Sequence, residues 1–179
     1  MKIAIAGASS GVGRHIAEAI LSRKTHTTLA ILRKPCPELE SQGARVIVTD
    51  YSSSDALSSA LESAHTVICA MGMAGGDPSL LAKNEVALVH AAIKAGVKRF
   101  VPTGWAGTDG GKDDFIEAYR PKYAAIEALQ TSGMEWSFPM NGMFLNYFAA
   151  PKPGNGYLRP GKFWIDYENC TATIPGDKR

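Results

Sequence analysis

The opening of the chain, Met1 to Leu21, constrains the fold more than any other stretch. A short apolar run (Ile3, Ala4, Ile5, Ala6) leads into a glycine-rich turn, Gly7-Ala8-Ser9-Ser10-Gly11-Val12-Gly13. An amphipathic helix follows, with Ile16, Ala17, Ala19, Ile20 and Leu21 as its apolar positions. A buried strand feeding a glycine turn feeding a helix is the phosphate-binding unit of a doubly wound sheet. A pyrophosphate needs backbone N–H donors, and a helix N-terminus offers them at the positive end of its dipole. Side chains would obstruct that approach, so glycine occupies the contact points. The backbone from Gly7 through Ser9, Ser10, Gly11 and Val12 to Gly13 is therefore the expected cofactor cradle.

The spacing reads as Gly7-x-x-x-Gly11-x-Gly13, or as Gly7-x-x-Ser10-x-x-Gly13 with serine at the middle glycine; the strict Gly-x-Gly-x-x-Gly is absent. A glycine turn that binds nothing is the competing reading. Three glycines within seven residues after a strand exceed what a tight turn requires. A second apolar run, Thr28 to Leu32, ends at Arg33-Lys34. An acidic residue there would bond the ribose 2′-hydroxyl of NAD, whereas arginine suits the 2′-phosphate of NADP. Arg33, helped by Lys34, is thus read as an NADP determinant, against the alternative of a solvated charge at a strand end.

Strand and helix signals then alternate. Strands are expected at Arg45 to Thr49, Thr66 to Ala70, Lys98 to Pro102 and Met134 to Pro139, with Pro35 and Pro37 breaking the run after the second strand. Helices are expected at Asp55 to Glu62, Leu80 to Ala95 and Phe115 to Thr131, the last divided at Pro121. Gly96 ends the helix before it. Asp50-Tyr51 closes the third strand, where such residues flank an adenine; capping of the next helix by residues 52 to 54 is the other reading. Ala70, Met71 and Gly72 stand at the carboxyl end of the fourth strand, and Thr103 at that of the fifth. Ligands of open α/β sheets lie at such ends. The pattern predicts an α/β fold, a doubly wound parallel sheet of order 3-2-1-4-5-6. Residues 1–148 form the cofactor domain and 149–179 a loop-rich remainder, with short strand-like pieces at Phe163 to Tyr167 and Thr171 to Ile174.

The net charge of +2 and scattered lysines and arginines do not suggest a nucleic-acid partner. No apolar run reaches transmembrane length, and the start, which stops at Gly7, is not read as a leader. Cys36, Cys69 and Cys170 are far apart and odd in number, which suggests a reducing, cytoplasmic setting. The four histidines form no cluster, and no metal site is expected.

The chain resembles the NmrA-like and isoflavone-reductase-like branch of the short-chain dehydrogenase superfamily. The resemblance rests on Gly7 to Gly13, on Leu32-Arg33, and on Ala91-Ala92-Ile93-Lys94-Ala95-Gly96-Val97-Lys98-Arg99-Phe100-Val101-Pro102-Thr103. It also rests on Trp105, on Lys122 eleven residues before Gly133, and on Asn141-Gly142-Met143-Phe144. It implies a Rossmann domain binding NADP(H), with Asn141 among the cofactor contacts. It further implies that Lys122 sits by the nicotinamide as general acid or base, which requires a lysine pKa brought toward neutrality. A surface lysine at a helix start is the plain alternative. The superfamily's Tyr-x-x-x-Lys pair is replaced by Tyr119-x-x-Lys122, with Pro121 between, so Tyr119 is a weaker proton donor candidate. Family chains run longer, so a shortened substrate half is expected.

Three outcomes follow from these readings. The first is an NADPH-dependent reductase of a small carbonyl or aromatic metabolite. The second is a redox sensor of the NmrA type that binds NADP(H) and a protein partner without chemistry. The third is an oligomer or hetero-complex formed through an apolar surface carrying Met143, Phe144, Leu145, Tyr147 and Phe148.

Overall fold

The computed structural model describes residues 1–72, 77–105, 120–142, 144–148, 156–158, 165–166 and 168–174. Its elements run β1 (Lys2–Ala6), α1 (Gly11–Arg23), β2 (Thr27–Leu32), α2 (Pro37–Ser41), β3 (Arg45–Val48), α3 (Ser54–Ala60) and β4 (Thr66–Cys69). They continue with α4 (Pro78–Lys94), β5 (Arg99–Val101), α5 (Arg120–Gln130), β6 (Glu135–Trp136), a 3₁₀ turn (Leu145–Phe148), β7 (Ile165–Asp166) and β8 (Thr171–Ala172).

The first six strands form a sheet in the order β3-β2-β1-β4-β5-β6, and every pairing is parallel. The order reverses between β1 and β4, which places the carboxyl ends of these two strands at a switch point. Strand alternation sends successive side chains to opposite faces. Ala4, Ala6, Leu29 and Ile31 face a core shared with Leu57 of α3, Leu88 and Val89 of α4, and Ala125 and Leu129 of α5. Ile3, Ile5, Ala30 and Leu32 face the other core, closed by Ala17 of α1 and Leu39 of α2. β1 is thus covered on both sides, as its unbroken apolar sequence requires.

Three local features refine the expected elements. The prolines after β2 do more than break a run: Pro37 starts the short helix α2, because a proline's fixed φ suits a first helical turn. The cap of α3 is Ser53, whose side chain accepts from the Ala56 N–H, while Asp50 turns back to accept from Ser52. β6 is shorter than expected, since as an edge strand it has a partner on one side only, although the Ser137 N–H still donates to the Phe100 carbonyl. The helix at 115–131 is described from Arg120 onward, and the expected break before Pro121 lies outside the described residues. β7 and β8 form a small antiparallel pair within the two expected strand-like pieces.

Phe100 in β5 is the largest fully buried side chain of the first core. Its truncation leaves a void that packed helices fill only in part. Phe100→Ala is expected to cost about 3–5 kcal/mol of unfolding free energy, measured by urea titration of both proteins.

Candidate functional site

The glycine turn divides its work between packing and access. Gly7 has φ +84°, and a Cβ there would lie 2.6 Å from the Ala70 carbonyl oxygen. A Cβ on Gly13 would strike the Gly7 carbonyl. These two glycines let α1 approach β1 and β4 at backbone distance. Gly11 differs: its φ is +57°, yet a Cβ there would meet nothing within 4 Å. It supplies a left-handed turn and leaves open space beside the helix start.

Ser10 is the N-cap of α1, but its hydroxyl makes no capping hydrogen bond, and the first turn carries no acidic residue. The Arg14 N–H bonds to the Ser10 carbonyl, and the Gly11 N–H donates to the carbonyl of Tyr157 at 3.2 Å. The Val12 and Gly13 N–H groups find no backbone acceptor among the described residues. An uncapped helix start with a glycine opening suits a phosphate group, so the residues present fit a nicotinamide dinucleotide. Ser9 and Ser10 are exposed at this opening. Arg33 and Lys34 are exposed at the end of β2 and have no carboxylate partner among the described residues.

A second group of residues continues from the turn toward α5. The Ala70 N–H donates to the Ala6 carbonyl at 2.9 Å, which sets the end of β4 against Gly7. The Thr103 hydroxyl donates to the Met71 carbonyl at 3.2 Å, and the Trp105 indole N–H to the Cys69 carbonyl at 2.8 Å. The Thr103 N–H donates to Glu85 Oε1 at 2.6 Å. Glu85, on α4, is 1% exposed, and Lys122, on α5, is 6% exposed. Burial pushes the Glu85 carboxyl up to about 7, against the Thr103 N–H, the Cys69 thiol and the Lys122 charge, which all favour the carboxylate. Burial draws the Lys122 amine below its ordinary value, and Glu85 opposes that shift. Burial also raises the Cys69 thiol, with the Glu85 charge adding to it.

Most of the sequence-predicted residues therefore cluster around the carboxyl ends of β1, β2, β4 and β5. Gly72 is exposed beside Met71. Tyr51 is buried rather than open at the strand end. It packs in the first core at 5% exposure, and its hydroxyl donates to the Ile31 carbonyl at 3.0 Å, so the ring offers little surface to an adenine. Its φ of +66° turns the chain inward after β3. Asn141 is exposed, with its amide donating to the neighbouring Gly142 carbonyl. Tyr119 lies outside the described residues.

Two groups escaped the sequence reading. Glu85 was hidden in an apolar helix, although it shares a helical face with Leu88, Val89 and Ala92 at three, four and seven residues onward. That phase is the signal that marks a buried acid. The other group gathers on α1. Arg14 pairs with Glu18 at 2.8 Å and lies over the Tyr157 ring, the Tyr157 hydroxyl donates to Glu18 at 2.6 Å, and the Tyr157 N–H donates to His15 Nε2 at 3.1 Å. Its sequence separation of 139 residues or more leaves no local pattern to read. A separate hollow of about 330 Å³ opens between Ile93, Gly96 to Lys98 and Ser132 to Glu135, at the amino ends of β5 and β6 and away from the turn.

The family model described as NAD(P)H-binding matches residues 7–150. An oxidoreductase of Botryotinia fuckeliana is 30% identical over 96% of this chain and 58% of its own length. The isoflavone reductase of Pisum sativum is 27% identical over 82% of this chain and 52% of its own. Among solved structures, the triphenylmethane reductase of Citrobacter sp. complexed with NADP(H) superposes with a TM-score of 0.70 at 26% identity, covering 82% of this chain and 51% of that one. The chain belongs to the NAD(P)H-binding family, and isoflavone reductase is among the proteins it is similar to. It spans between 51% and 58% of the length of these relatives.

The buried carboxyl makes stability depend on pH. Its folded value, about 7, exceeds the ordinary 4.5, so its stabilising contribution is complete below the ordinary value and is lost as pH rises through the folded one. Glu85→Gln keeps an acceptor for Thr103 and cannot ionise. The variant is expected to gain about 2.5 kcal/mol on the parent between about pH 5 and about pH 7.5. Urea unfolding of both proteins across that range measures the gap, and a constant gap would contradict the assignment.

Proposed function

We propose that the chain is an NADPH-dependent reductase of a small carbonyl-bearing or aromatic metabolite. The observation that carries this reading is the continuity of the site: an open helix start for phosphate at Gly11 to Gly13 leads, through Ala70, Met71 and Thr103, to the buried Glu85 of α4, and α5, which packs on α4, carries the buried Lys122. The N–H groups of Val12 and Gly13 take the pyrophosphate. Arg33, with Lys34 beside it, takes the 2′-phosphate of NADP. The nicotinamide, when bound, supplies a hydride to an electron-poor carbon. Lys122 holds the proton that the product oxygen or nitrogen takes up, and its burial lowers the cost of giving that proton away. Tyr119 is a second candidate for the same task. Asn141 is a candidate cofactor contact at the loop after β6.

Names among the similar proteins support the class. The solved structures include an Escherichia coli NADPH-dependent quinone oxidoreductase complexed with NADPH, at 26% identity and a TM-score of 0.67. The relatives include the two enzymes named in the sequence comparison. The sensor reading has no separate observation in its favour. Residues 149–179 are read as part of the substrate region. Leu145 is 83% exposed and Ile174 is 87% exposed, which supports a partner or second copy covering this side. Cys36 and Cys69 are buried thiols outside any disulfide, which supports a cytoplasmic setting. No helix among the described residues is long and apolar enough to cross a membrane.

Two substitutions separate binding from chemistry. Arg33→Ser is expected to weaken NADPH at least about tenfold, the worth of a charged hydrogen-bond pair, and to leave NADH nearly unchanged. Energy transfer from tryptophan to the reduced nicotinamide reads both affinities. Lys122→Met is expected to keep NADPH affinity and to lose at least about a hundredfold in turnover of a benzoquinone or aryl-ketone panel. Equal turnover in parent and variant would remove Lys122 from the chemistry.

A further inference from the structure

We propose that residues 156–158 form an autoinhibitory strap, in which Tyr157 occupies the helix start meant for the cofactor's phosphate, so that NADPH binds as the strap lifts off α1. The inference rests on the reading of Gly11 to Gly13 as the phosphate site, and it adds a device that controls access to that site.

Each polar group of Tyr157 engages α1. Its carbonyl accepts the Gly11 N–H at 3.2 Å. Its own N–H donates to His15 Nε2 at 3.1 Å, and its hydroxyl donates to Glu18 Oε1 at 2.6 Å. The Arg14 guanidinium lies over its ring, 4.9 Å from the centroid, and the His15 ring meets it edge-on at 5.1 Å. The acceptor for the hydroxyl is itself fixed, since Arg14 bonds Glu18 at 2.8 Å and the Gln42 amide donates to it at 3.3 Å. Gly156 sets the approach. Its φ is +69°, and a Cβ there would strike the His15 ring. The strap therefore seats on α1 at a distance that only glycine permits.

A phosphate and this strap exclude each other at Gly11. One backbone N–H makes one well-aligned hydrogen bond, and a phosphate oxygen brought beside the Tyr157 carbonyl sets two electron-rich atoms against each other. Without ligand, the strap answers a donor at a helix start that the Ser10 hydroxyl does not cap. The Tyr157 carbonyl thus stands in for a phosphate oxygen. Hydrogen bonds and a cation–π contact at such an exposed site are individually modest. Together they hold the strap firmly enough to compete and weakly enough to yield to the cofactor. The apparent affinity for NADPH is then the intrinsic affinity reduced by the fraction of chains whose strap is open.

Two variants loosen the strap by different means. Tyr157→Ala removes the ring and hydroxyl anchors. Gly156→Ala keeps Tyr157, strains the backbone at its positive φ and presses on His15. In NADPH titrations read by energy transfer from tryptophan, both variants are expected to bind at least about fivefold tighter than the parent. Urea unfolding of each variant reports that the fold is intact. In the ¹⁵N-labelled parent, the Tyr157 amide is expected to move with that of Gly11 as NADPH saturates. Unchanged affinity in either variant overturns the proposal, and so does weaker binding, the result for a tyrosine that clasps the cofactor instead of excluding it. Failure of the phosphate reading shows separately, as Val12 and Gly13 amides that stay in place while NADPH saturates the parent, and it overturns the strap as well.

Discussion

The close approach of α1 to β1 and β4 is the contact on which the rest of the molecule depends. It exists because Gly7 and Gly13 carry no side chains, so that backbone meets backbone where a Cβ would strike a carbonyl. This approach aims the helix start at the carboxyl ends of the parallel strands, and it leaves Gly11 free to serve as an opening. The parallel order around β1 then brings β4 and β5, with Met71 and Thr103, to the same edge. Fold and site are consequences of one steric requirement.

A chain of bonded groups leads outward from that edge. Gly7 packs against the end of β4, Met71 receives the Thr103 hydroxyl, and the Thr103 amide holds Glu85. Each link is short and most are buried, so electrostatic effects are stronger here than at the surface. The α1 surface carries a second, more exposed set of contacts from Tyr157, whose carbonyl takes the Gly11 N–H. A phosphate at this helix start would share or replace that acceptor, while Val12 and Gly13 keep theirs to offer.

The sheet was legible in the sequence because both of its faces are covered, and continuous apolar runs such as Ile3 to Ala6 have few other solutions. The glycine turn was legible for a related reason, since its spacing encodes a backbone conformation. The burial of Tyr51 was not legible: a strand-end aromatic looks available from sequence, but its positive φ folds the ring inward. Glu85 was overlooked because one acid in an apolar helix usually marks the solvated face. Only its phase with Leu88 and Val89 says otherwise. The Tyr157 contacts were invisible, as nothing local links residue 157 to residues 14 and 18.

The central claim is that the start of α1 is where the cofactor's phosphates bind. Amide resonances of the ¹⁵N-labelled protein, followed during addition of NADPH, test it most directly. The account predicts that the Gly11, Val12 and Gly13 amides move together and saturate with the cofactor, with Arg33 following. Saturable binding that leaves these amides in place, and instead moves those around Gly96 and Gly133 at the opposite end of the sheet, would contradict it.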